Sequence, residues 1–246
     1  MHVLALDTTT RDGSVALVDE HHVIVERRGD AARSHAERLP GELVALAAAH
    51  GLSLSDIDLF AVASGPGSFT GLRIGIATIQ GLALTAGRRI VAVSALEALA
   101  QSVTSTPETF VGTWMDAYRH DVFTALYKIS DAALFSPERL VVVEEPMVGS
   151  PATTLTRWRK DLREASVVFV GNGAVQYATT IGCAGGRLEV LPHVPLLAGT
   201  IGRMAAVRAE RGDTIHPAGV HPLYVRRPDA EIERERQTWP TGSSNL

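Results

Sequence analysis

Apolar and polar positions alternate in short blocks over the first hundred residues. Val3-Leu4-Ala5-Leu6 is an apolar run stopped by Asp7-Thr8-Thr9-Thr10, which predicts a buried strand entering a polar turn. Asp12-Gly13 has the residues of a hairpin turn, and 14–18 and 23–26 read as two further strands in antiparallel succession. In 34–50, Leu39, Leu43, Leu46 and Ala47 recur at helical spacing up to Gly51, and Pro40 predicts a late start or a bend. Phe60-Ala61-Val62-Ala63 is a short buried strand. The tight loop Gly65-Pro66-Gly67-Ser68-Phe69-Thr70-Gly71 follows, with Ser68 or Thr70 placed to cap a helix running to about Ala86. A strand over 90–93 and a Ser94-capped helix over 95–101 complete a βββαβαβα order. That order predicts a mixed sheet with helices on its faces.

Residues 102–108 (SVTSTPE) read as a linker. Beyond it, 109–114, 121–127, 139–143 and 167–170 read as strands, the last running into Gly171-Asn172-Gly173. Helices are expected over 174–181 and 196–211, so the second half reads as a reduced echo of the first. The expected organisation is a first subdomain over 1–102, a smaller one over 103–228 whose last helix packs back on the first, and a charged, unstructured tail over 229–246.

The chain has 246 residues, so its core needs no disulfide or metal staple. Basic residues number 23 against 27 acidic, a net charge of −4, which excludes a binder that holds polyanions by bulk charge. A single cysteine, Cys183, excludes an internal disulfide and is expected as a core thiol. The N-terminus MHVLALD lacks the pattern of a secretory signal, and the apolar stretch 74–86 is too short and polar to span a bilayer. These features predict a soluble, cytoplasmic α/β protein with no membrane partner.

Three features carry candidate chemistry. Asp7 at a strand end, with Thr8 beside it, could organise a hydrated cation or hold phosphate, or these residues could simply satisfy the turn backbone. Gly65, Gly67, Ser68 and Thr70 could cradle phosphate at a helix start, although the loop lacks the Lys-Ser/Thr of a Walker loop; the bland alternative is a tight strand-to-helix turn. The following helix carries Gly71, Gly75 and Gly81, and each helix-internal glycine costs about 1 kcal/mol relative to alanine. A close backbone neighbour would compensate, either the sheet of the same chain or the helix of a second subunit. The nine histidines include no pair spaced as metal ligands on a helix, so no metal site is expected.

The segments LALDTTT, SHAERL (34–39), SGPGSFTGLRIGIAT (64–78), VSALEALA (93–100), Gly171-Asn172-Gly173-Ala174 and HPLYVR (221–226) closely resemble the TsaB (YeaZ) family. The resemblance covers the chain to about Pro228. It implies an actin-like ATPase (ASKHA) fold of two ribonuclease-H-like subdomains with mixed sheets flanked by helices. It further implies a non-catalytic subunit that binds the paralogue TsaD and the ATPase TsaE for threonylcarbamoyl transfer to adenosine 37 of tRNA. A homodimer is implied when TsaD is absent, with tRNA contacted through the complex. No intrinsic cofactor is implied; ATP or ADP would sit at the complex interface. The catalytic paralogue carries two metal-binding histidines where this chain has Ala95 and Leu99, which cannot ligate a metal. The partner interface implied by the two early helices comprises Leu39, Leu43, Leu46, Gly71, Leu72, Gly75, Ile76 and Ile79. The rival reading is a stand-alone actin-fold ATP-binding phosphotransferase or ATPase, with Asp7 at a metal and the Gly65–Gly67 loop on phosphate. A metallopeptidase is a third reading, and it would require bound metal.

Overall fold

The structure, a computed structural model, describes residues 1–159, 161 and 165–226; the predicted tail over 229–246 lies outside them. Two five-stranded mixed sheets are built the same way. In the first, β1 (His2–Asp7), β2 (Ser14–Asp19) and β3 (His22–Arg28) are antiparallel, and β4 (Leu59–Gly65) and β5 (Arg89–Ser94) add in parallel, giving the order β3-β2-β1-β4-β5. The second repeats this with β6 (Phe110–Asp116), β7 (Val122–Ile129), β8 (Leu140–Gly149), β9 (Ser166–Val170) and β10 (Arg187–Val190), in the order β8-β7-β6-β9-β10. Three antiparallel strands followed by two parallel ones is the ribonuclease-H-like pattern, and its duplication makes the actin-like architecture.

Period-two alternation in β1 sorts its side chains onto two buried faces. Leu4 and Leu6, with Phe60 and Val62 of β4, meet α1 (His35–Ala48) and α2 (Phe69–Ala86) through Leu39, Leu43, Leu46, Ile76 and Ile79. Val3 and Ala5 face the other way, onto α3 (Ala95–Gln101) and the last helix. The short helices α4 (Pro151–Arg157), α5 (Asn172–Gln176) and α6 (Ala178–Gly182) flank the second sheet, and α7 (Ala198–Glu210) returns to the first. Small residues permit that return: a Cβ on Gly202 would lie 2.6 Å from Val18 Cγ2 and 3.2 Å from Ala5 Cβ. The core around α3 and α7 includes Val111, Ala125 and Val168 from the second sheet, so it joins the two subdomains.

Several local expectations are corrected. Helix α1 begins at His35 despite Pro40, because Ser34 and Glu37 form a reciprocal capping box; the proline forfeits one intrahelical hydrogen bond. The helix expected over 174–181 is two short ones, broken at Tyr177. Helix α4 and strand β10 went unread, although Ser150-Pro151 is a cap followed by proline at the first helical position. Cys183 is exposed as the C-cap of α6, while Ile181 two residues earlier takes the buried position. Helix α2, at 18 residues, exceeds the apolar stretch 74–86 and has the length and composition of a membrane span; its Leu72, Ile76, Ile79 and Ala83 are buried in the first subdomain.

Candidate functional site

The two repeats end their first strands on the same device. Asp7 Oδ1 accepts the Thr9 N–H at 2.9 Å, and Asp116 Oδ1 accepts the Tyr118 N–H at 2.9 Å. Both carboxylates line a cleft of about 350 Å³ between the subdomains. Thr9, Thr10, Asp12, Ser14 and Asn172 supply polar walls, and Leu99, Met115, Pro195 and Leu197 supply apolar ones. Asp7 is only 4% exposed, and burial pushes its carboxyl above the ordinary carboxylate range, against the hydrogen bonds from Thr9. Glu26 is also raised by burial; its Oε1 accepts the Gly199 N–H at 2.8 Å, while Ser14 Oγ accepts that of Ala198 at 3.1 Å, so the two residues cap α7.

A buried polar group braces the turn from behind. The Arg38 guanidinium, wholly inside, donates to the Asp12 carbonyl and pairs with Glu42. It also donates to His35 Nδ1 at 2.9 Å, so His35 Nε2–H donates to the Thr10 carbonyl at 3.0 Å. Burial lowers the His35 pKa, which fits this neutral tautomer. Asp12 in turn holds Arg28.

The glycine loop does not reach the cleft. A Cβ on Gly67 would lie 2.6 Å from Thr9 Cβ, one on Gly71 would collide with the Thr8 carbonyl, and one on Gly75 with Thr8 Oγ1. Ser68 N–H donates to the Thr9 carbonyl at 2.9 Å, and Ser68 Oγ caps α2 by accepting the Gly71 N–H at 3.2 Å. A Cβ on Gly65 would lie 2.8 Å from the Leu223 carbonyl. So Gly65, Gly67, Ser68, Thr70 and Thr8 lie outside the cleft lining, and of the six predicted phosphate-site residues only Asp7 lines it. The reason is close packing: the loop lies against the β1 turn and the 221–226 segment.

The predicted interface residues are corrected too. Leu39, Leu43, Leu46, Leu72, Ile76 and Ile79 are at most 4% exposed, and Gly71 and Gly75 are buried. Their own sheet takes the apolar stripe of each helix, and Thr8 accounts for both glycines. The outer faces of α1 and α2 carry Pro40, Gly41, Val44, Ala45 and Ala48 beside Ala77, Gly81 and Leu84, with Val44 42% and Leu84 55% exposed. A Cβ on Gly41 or on Gly81 would meet nothing within 4 Å.

Sequence reasoning missed Asp12, Ser14, Arg28 and Tyr118 as cleft residues. The signal was the repeat itself: a strand-terminal aspartate in each half, and in each half a glycine loop packed on the turn beyond it. In the second half, a Cβ on Gly173 would lie 3.0 Å from the Met115 carbonyl carbon. Ala95 and Leu99 are buried, and among the described residues no three His, Cys, Asp or Glu side chains are grouped to hold a metal.

Comparison with known proteins gives consistent relatives. The family profile TsaD, tRNA N6-adenosine threonylcarbamoyltransferase, matches residues 28–232. The tRNA threonylcarbamoyladenosine biosynthesis protein TsaB of Escherichia coli is 33% identical over 71% of this chain and 80% of its own length. An uncharacterised Mycobacterium leprae protein, ML0378, is 34% identical over 93% of this chain, which spans 56% of that relative. A crystal structure described as an uncharacterised protein with similarity to peptidase YeaZ, from Pseudomonas aeruginosa, superposes with a TM-score of 0.76 at 29% identity. It covers 92% of this chain and 99% of that one.

Proposed function

The chain belongs to the TsaB family, and from that premise we propose that it is the non-catalytic partner subunit of a tRNA threonylcarbamoyladenosine synthase. It binds the TsaD paralogue through the outer faces of α1 and α2, contributes to docking the ATPase TsaE, and acts in the cytoplasm. Without TsaD, the same face pairs two copies. Any ATP or ADP it meets sits at the assembled interface, and tRNA reaches it within the complex.

One observation carries the proposed face. Gly41 and Gly81 lie inside two packed helices, each at a cost of about 1 kcal/mol relative to alanine, yet among the described residues nothing outside the helix backbone comes within 4 Å of a Cβ placed on either. Gly71 and Gly75 have their reason in Thr8; these two do not. A partner helix approaching closely would supply the missing contact. The surrounding Val44, Ala45, Ala77 and Leu84 are uncharged, which suits such a contact.

The test is light scattering on a size-exclusion column, with the chain alone and mixed with TsaD from the same organism. The expected result is a one-to-one heterodimer with wild type and none with Gly81→Arg, while the variant keeps its circular dichroism. A heterodimer unaffected by Gly81→Arg would move the interface elsewhere. The stand-alone phosphotransferase has less support, since the glycine loop is packed on Thr8 and Thr9.

A further inference from the structure

We propose that the mouth of the inter-subdomain cleft contacts RNA directly, an unpaired base stacking on Tyr118 while flanking phosphates meet Arg11 and Arg28. The choice of RNA rests on the role in tRNA modification proposed above. Tyr118, Arg11 and Arg28 line the same cleft from opposite subdomains. Tyr118 is 63% exposed, the most exposed large apolar side chain among the described residues.

The hairpin presenting it is unusual. Tyr118, Arg119 and His120 have φ of 58°, 54° and 65°, a left-handed run that residues bearing a Cβ disfavour. The fold holds it with several bonds. Ala117 N–H donates to the Asp121 carbonyl at 3.0 Å, and Asp121 N–H to the Tyr118 carbonyl at 3.0 Å. Arg226 donates to the Ala117 carbonyl at 2.8 Å and pairs with the Asp121 carboxylate. The effect is a hydrogen-bonded hairpin tip that presents an aromatic ring to solvent.

The opposite wall carries two arginines, Arg11 and Arg28, beside Asp7 and Asp12. Both arginines are exposed. Arg11 Nε donates to the Ala31 carbonyl at 3.1 Å and Arg28 pairs with Asp12, which fixes both stems at the rim. An exposed aromatic face opposite exposed arginines is the combination that binds single strands: the ring takes any base and the cations take the backbone.

The test is fluorescence anisotropy of the full-length isolated chain with a labelled stem–loop RNA and with a fully paired duplex of the same stem. Wild type is expected to prefer the stem–loop. Tyr118→Ala should weaken it about tenfold or more, Tyr118→Phe should leave it within about twofold, and Arg11→Ala with Arg28→Ala should flatten the salt dependence. Circular dichroism checks that each variant folds. Equal binding by Tyr118→Ala, equal binding of the duplex, displacement by free AMP at matched nucleotide concentration, or no RNA binding at low salt would each overturn the proposal. Because TsaD is absent from this assay, failure here leaves heterodimer formation as a separate result.

Discussion

Two classes of helix glycine should respond oppositely to alanine. At Gly81 the new methyl enters open space on a helical backbone, so only propensity changes. The gain is about 0.8–1 kcal/mol, which for a chain of this size raises Tm by roughly 2–4 °C. At Gly71 the methyl would collide with the Thr8 backbone carbonyl, and no side-chain rotation relieves that. At Gly75 it would lie 2.9 Å from Thr8 Cγ2, and Thr8 is wholly buried. Overpacking of this kind costs about 1–3 kcal/mol, so Gly71→Ala should lower Tm by roughly 2–12 °C. Gly75→Ala should fall less, because mid-helix propensity offsets part of the clash. The assay is thermal unfolding followed by circular dichroism, at a concentration where light scattering shows monomer. If Gly81→Ala destabilises as much as Gly71→Ala, Gly81 has a contact within the chain and the argument for an outward partner collapses.

Asp7→Asn keeps an acceptor for the Thr9 N–H and removes a buried charge. Burial raises the native pKa of Asp7 above its unfolded value, so the penalty is absent below the unfolded pKa and grows as pH rises through the native one. Urea midpoints should therefore show the variant gaining on wild type from about pH 4 to about pH 7; a variant less stable at neutral pH would refute this. Arg226→Ala removes the donor to Ala117 and the partner of Asp121, and hydrogen exchange should show faster opening of the 117–121 amides, by roughly 1–2 kcal/mol; unchanged protection would show that the hairpin stands without it. Calorimetry of the isolated chain with Mg-ATP should give no saturable heat, and tight binding lost in Asp7→Ala would revive the phosphotransferase reading.

Much of the fold was legible because its signals are local. The βββαβαβα order follows from apolar runs stopped by Asp-Thr turns, Gly51 and Ser94, and the GPGSFTG loop announces its helix. The echo in the second half was legible as order, while β10 alternates strictly but over only four residues, too few for a strand signal to stand out. The site was harder to read. Helical spacing at Leu39, Leu43, Leu72 and Ile76 says that a stripe is buried, not what buries it, and the chain's own sheet is the nearest apolar surface. Glycine spacing likewise cannot tell Gly75, pressed on Thr8, from Gly81, facing open space. Asp7 was found because it ends a strand; Tyr118 and Arg28 meet only through the tertiary fold, 90 positions apart.

Reconstituted threonylcarbamoyl transfer to tRNA tests the central claim most directly, using this chain, TsaD and TsaE from the same organism, each alone and together. The account predicts no product from this chain alone, little from TsaD without it, and full product from the assembled set, lost again with Gly81→Arg. Transfer by this chain alone, or full activity of TsaD and TsaE in its absence, would contradict it.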